Sequence, residues 1–141
     1  MGASTDFDFW LGSWVVTWDD GASQGRNVVA RTHGGKVVTE AFDGRPGVDL
    51  SGTSVSVFDA QRDVWRQTWV DDAGNYFALE GRFESGEMTL LCDRHNGPAG
   101  VVYRMRFTAI TSDSLTWLWE RSTDGSTTFD LAWQLSYTRE S

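Results

Sequence analysis

Apolar and polar residues alternate with a period of two through much of this chain. The clearest run is C-terminal: Phe129, Leu131, Trp133, Leu135 and Tyr137 fall on one face, and Asp130, Ala132, Gln134, Ser136 and Thr138 on the other. Val101, Tyr103, Met105, Phe107 and Ala109 oppose Val102, Arg104, Arg106 and Thr108; Phe77, Leu79, Gly81 and Phe83 oppose Tyr76, Ala78, Glu80 and Arg82. Successive side chains of a strand point to opposite sides, so each run predicts a strand with one dry and one wet face. Between the runs lie turn residues: Asp19-Asp20-Gly21, His33-Gly34-Gly35, Asp43-Gly44-Arg45-Pro46-Gly47, Asp59-Ala60-Gln61-Arg62-Asp63 and Asp72-Ala73-Gly74. Glu84-Ser85-Gly86, Asn96-Gly97-Pro98, Ser112-Asp113 and Thr123-Asp124-Gly125 continue the series. Such residues tolerate positive φ or bond their own backbone, and their regular spacing divides the chain into about ten strand-length segments.

This pattern predicts an all-β fold, an antiparallel up-and-down barrel of about ten strands in one domain spanning 1–141. Closing the meander removes its exposed edges, and a barrel of more than about eight strands is wide enough to hold a cavity. A single stretch departs from the strand pattern. Asp6-Phe7-Asp8-Phe9-Trp10-Leu11 predicts one capped helical turn, ended by Gly12, that plugs the barrel. The same parity turns Trp14, Val16 and Trp18 inward, with Trp65, Gln67 and Trp69, and with Leu115, Trp117 and Trp119. Seven of the eight tryptophans are then interior and Trp10 sits in the plug. Around Val38, Glu40 and Phe42, and around Ser54, Ser56 and Phe58, both faces carry apolar residues and parity does not decide.

Charge and cysteine content narrow the function classes. A net charge of −8, with the arginines scattered singly, argues against nucleic acid as a partner and disfavours anionic membranes. No run approaches the roughly 20 apolar residues of a membrane span, and Met1 to Asp8 lack a signal-peptide pattern. One cysteine, Cys92, makes neither an internal disulfide nor a cysteine-based metal site. It shares a face with Met88 and Leu90 and reads as a small buried apolar residue. The expectation is a cytoplasmic protein without nucleic-acid or membrane partners; a hairpin edge could pair two copies into a homodimer.

Phe9-Trp10-Leu11-Gly12-Ser13-Trp14, Gly52-Thr53-Ser54, Phe58-Asp59, Trp65-Arg66-Gln67-Thr68-Trp69-Val70-Asp71, Gly86-Glu87-Met88 and Trp119-Glu120 together resemble the bacterial lipocalin-like barrels of the DUF1579 group. Calycin-type barrels open their first strand with Gly-x-Trp after a short plug. The resemblance implies that Arg139, near the end of the last strand, lies over Trp14. The wider superfamily includes carriers of apolar ligands, haem-binding nitrobindins and a few biosynthetic cyclases and isomerases, so function has to come from the residues.

The leading candidate site is an interior that binds a small, largely apolar or aromatic molecule. Trp65, Trp69, Tyr103, Phe107, Trp117, Trp119 and Trp133 would wall it, Gln67 would orient the ligand, and Arg121 would anchor a carboxylate at the mouth. The plainer alternative makes the indoles core and Arg121 solvated. A cofactor-independent cyclase or isomerase would use the same cavity, with Glu40, Gln67 and Tyr103 supplying hydrogen bonds or a proton. If Val38 and Phe42 face inward, so does Glu40, and burial would raise its pKa; because a glutamate is rarely buried without a partner, the solvated register is favoured. Haem needs an axial ligand, commonly His, and His33 and His95 both sit beside turns and not on a strand face. Neither a cofactor nor a metal is expected.

Overall fold

The computed structural model describes residues 2–92 and 99–140. Ten strands run in chain order: β1 (Gly12–Trp18), β2 (Ser23–Thr32), β3 (Val37–Asp43), β4 (Ser51–Asp59), β5 (Val64–Asp71), β6 (Tyr76–Glu84), β7 (Glu87–Cys92), β8 (Val102–Thr108), β9 (Ser114–Ser122) and β10 (Asp130–Arg139). Every strand pairs antiparallel with its sequence neighbours, and β1 pairs with β10, from Trp14 opposite Arg139 to Thr17 opposite Ser136. The result is a closed up-and-down barrel, as the alternation and turn spacing predict. The expected turn at Asn96-Gly97-Pro98, and His95 beside it, lie outside the described residues. No helix among the described residues is long and apolar enough to cross a membrane.

The plug is not the helical turn expected from Asp6–Leu11. It is a 3-10 turn over Asp8–Trp10 with no side-chain cap. Its bonds span three residues, Trp10 N–H to Phe7 C=O at 3.0 Å and Leu11 N–H to Asp8 C=O at 3.3 Å. A single tight turn suffices because packing, not helix length, holds it. Phe7 meets Phe107 edge-on at 5.3 Å and Trp65 at 4.9 Å; Trp10 meets Phe107 at 5.0 Å.

Arg139 latches this segment to the barrel. Its guanidinium lies 4.1 Å over the Trp14 ring and donates to the carbonyls of Leu11 and Phe9 at 2.6 and 3.3 Å. Trp14 Nε1 donates to the Trp10 carbonyl at 2.8 Å. Gly12 is needed here twice over: its φ is +123°, and a Cβ would collide with Arg139 Nη1. The plug therefore fills the end of the barrel reached by the β2–β3, β4–β5, β6–β7 and β8–β9 connections. The other end, with the β1–β2, β3–β4, β5–β6 and β9–β10 connections, is the mouth.

One face assignment is corrected. Trp133, Leu135 and Tyr137 point inward, but Phe129 and Leu131 do not. The β10 ladder pairs Leu131 with Glu120 and then Trp133 with Trp119, so Ala132 is an extra residue that reverses the alternation. Leu131 is consequently exposed, and Phe129 lies outside, 3.9 Å beneath the Arg104 guanidinium.

Candidate functional site

Between plug and mouth lies a cavity of about 300 Å³, at the small end of the range for ligand sites. Its walls are aromatic because strands on opposite sides each send a bulky ring inward. Tyr103, Trp119 and Trp117 form a parallel series, with centroids 4.9 and 6.0 Å apart and planes within 9° and 1°. Trp133 closes on Trp117 edge-on at 6.1 Å, and Phe42 closes on Trp133 at 6.2 Å. Phe77 packs against both Tyr103 and Trp119, while Trp69 stands beside Phe42 at 6.3 Å. Gly52 makes room for Trp69, since a Cβ there would strike the indole.

The floor is polar. Glu40 faces inward and is only 8% exposed, against the expectation that it would be solvated. It accepts a hydrogen bond from Ser54 Oγ at 2.6 Å and one from Asn27 Nδ2 at 2.7 Å. Asn27 Nδ2 also donates to the Tyr137 hydroxyl at 2.8 Å. These contacts follow from register, which sets Glu40 beside Ser54 across β3–β4 and Asn27 beside Phe42 across β2–β3. Burial pushes the Glu40 carboxyl above its ordinary value, and the bonds from Ser54 and Asn27 offset only part of this. Burial, and then the charge of Glu40, raises the Tyr137 hydroxyl well above its ordinary value. Two buried polar atoms of this interior, Asn27 Oδ1 and Gln67 Oε1, have no partner among the described residues.

At the rim, Asp71 accepts from Trp69 Nε1 at 2.8 Å and from the Ala73 and Asn75 backbone N–H groups at 3.0 Å. Burial opposes its ionisation, but these bonds outweigh burial and hold it below its ordinary value. Asp71 thus fixes an indole of the wall and carries negative charge into the cavity lining.

Of the residues expected from sequence, the structure brings together Trp69, Tyr103, Trp117, Trp119, Trp133 and Glu40 around this cavity. Trp65, Gln67, Phe107 and Arg121 are not part of its lining. Trp65 is packed among Phe7 and Phe58 at the plugged end, and its Nε1 donates to Asp6 at 3.2 Å. Phe107 is fully buried against the plug. Gln67 is buried outside the cavity lining, donating to Ser56 Oγ at 3.0 Å. Arg121 is exposed at the mouth end of β9, opposite Asp130.

Sequence reasoning passed over Phe77, Met105, Leu135 and Tyr137 as site residues, although parity already pointed them inward. What it lacked was height along the barrel axis, which decides whether an inward residue meets the plug or the cavity. Leu50, Asp71 and Asn75 come from the rim and carry no alternation signal. His33 is an exposed turn residue whose Nδ1 lies 2.9 Å from Thr32 Oγ1, and no group of three or more potential metal ligands occurs among the described residues. No family model and no curated protein matches the chain, so the site is read from its own residues.

Proposed function

We propose that this barrel binds a small, largely apolar or aromatic molecule in the interior between its plug and its mouth. The observation that carries the reading is the cavity of about 300 Å³, walled by aromatic rings and floored by the Glu40 and Tyr137 polar atoms. Apolar walls with a few polar groups at one end are the usual construction of a small-molecule site, where walls supply affinity and polar atoms supply orientation. The aromatic rings of the wall suit a ligand that is itself apolar or aromatic. The test is a titration with the neutral dye N-phenyl-1-naphthylamine, exciting tryptophan and following energy transfer. Saturable 1:1 binding is expected, weakened about tenfold or more in Trp119→Ala, which removes an indole of the wall. Absence of saturable transfer would mean the indoles fill the interior themselves.

The position of Glu40 favours a second reading, an isomerase or cyclase acting on the same kind of molecule. A carboxyl whose pKa is raised by burial has a more strongly basic conjugate carboxylate, which favours taking a proton from an apolar ligand. Deuterium exchange next to the carbonyl of 4-phenyl-2-butanone, followed by NMR in heavy water, reads this capacity directly. Exchange above the buffer rate that Glu40→Gln removes is the expected result; exchange at the buffer rate sinks the catalytic reading.

A further inference from the structure

We infer that the cavity is selective for organic cations, taking a protonated amine carried on an aromatic or cyclic skeleton and rejecting the corresponding carboxylate. This deepens the binding reading above and rests on it. The first ground is the lining itself. Among the described residues it contains two acidic side chains, Glu40 and Asp71, and no Lys, Arg or His. A carboxylate ligand would have to desolvate beside like charge with no basic side chain to pair with. An ammonium would enter a lining that includes the indoles of Trp69, Trp117, Trp119 and Trp133, the rings that attract cations most strongly.

The second ground is the unmet demand at the floor. Glu40 has two neutral donors, Ser54 and Asn27, and no cationic partner among the described residues. A buried carboxylate without counter-charge is costly, and a cationic ligand supplies what is missing. The polar atoms there also suit a pure donor such as an ammonium. Glu40 and Tyr137 both line the cavity, and Asn27 Oδ1 in the same cluster is buried with no donor among the described residues.

The third ground is the approach. The described connections at the mouth carry Asp19, Asp20, Asp49, Asp72 and Asp124 against Arg45 alone, and Arg45 is paired with Asp43 at 2.9 Å. Arg121, at the mouth end of β9, stands opposite Asp130. A cleft ringed by one sign of charge concentrates the opposite ion at its entrance.

The deciding experiment compares 4-phenylbutylamine, 4-phenylbutanol and 4-phenylbutyrate, which share a skeleton and carry charges of +1, 0 and −1 at neutral pH. Each displaces N-phenyl-1-naphthylamine from the full-length chain in low salt. The amine is expected to compete at about tenfold lower concentration than the alcohol, with the carboxylate weakest of the three. In Glu40→Gln the amine-to-alcohol ratio, an internal ratio independent of that variant's affinity for dye, is expected to collapse toward one. A carboxylate that competes as well as the amine overturns the inference, as does an undiminished ratio in Glu40→Gln. The wild-type ranking decides the matter even if that variant does not fold. A dye that binds with no amine preference defeats charge selection alone; a dye that does not bind at all defeats the cavity reading with it.

Discussion

Glu40 and Glu120 are the two buried glutamates of this barrel, each 8% exposed, and they are opposites in every other respect. Glu120 lies on the outer face of β9. It accepts from Arg104 Nε at 2.8 Å and from Arg106 Nε and Nη2 at 2.9 and 3.1 Å. Burial opposes its ionisation, but the bonds and charges of Arg106 and Arg104 outweigh it, and the carboxylate is held below its ordinary value. Glu40 lies on the inner face with only neutral donors, and there burial prevails. Burial alone therefore does not set the charge of a carboxyl; the kind of partner does. Outside, the protein answers the charge with its own arginines. Inside, it leaves the answer to whatever enters.

The largest effect expected from this contrast is Arg106→Leu, which leaves Glu120 with Arg104 as its remaining arginine. Because the pair is neither fully exposed nor deeply buried, the loss should be about 2 kcal/mol, lowering the thermal midpoint by roughly 8 °C. A drop no greater than that of an ordinary surface pair would show the outer clamp to be slack.

A smaller effect, and one of opposite sign at the two sites, is expected in the pH dependence of stability. The folded pKa of Glu120 lies below its ordinary 4.5, so its contribution is present above that pH and is lost as pH falls through the folded value. The folded pKa of Glu40 lies above 4.5, so its contribution is present below that pH and is lost as pH rises through the folded value. Thermal midpoints of the wild type, Glu40→Gln and Glu120→Gln, measured from about pH 2.5 to pH 8, check this. The advantage of the wild type over Glu120→Gln should grow with pH, while that over Glu40→Gln should shrink or reverse. Two curves moving in the same direction would dissolve the contrast.

How much of this could be read from the chain depends on whether the deciding interaction is local. Strand number and the inward Trp14, Trp18, Trp69, Trp117 and Trp119 follow from the pleat and from turn chemistry, which are properties of neighbouring residues. The fate of Phe129 and Leu131 does not, because the extra residue at Ala132 exists only where β10 is laid against β9. Glu40 is a similar case. Val37, Thr39 and Ala41 compete with Val38, Glu40 and Phe42 for the interior on nearly equal terms. What settles the register is the supply of donors from Asn27 and Ser54, contributed by two other strands. Trp65 and Phe107 share the parity of the cavity residues and differ from them only in lying at the level where Phe7 and Trp10 are inserted.

The plug latched by Arg139 also dictates the kinetics of whatever the cavity holds. A barrel stoppered at one end is a vessel with one opening, so traffic is last in, first out. A newcomer cannot push an occupant out from behind, and arrival must wait for departure. Release of a bound molecule should then be a first-order process whose rate does not change with the concentration of the molecule waiting to replace it.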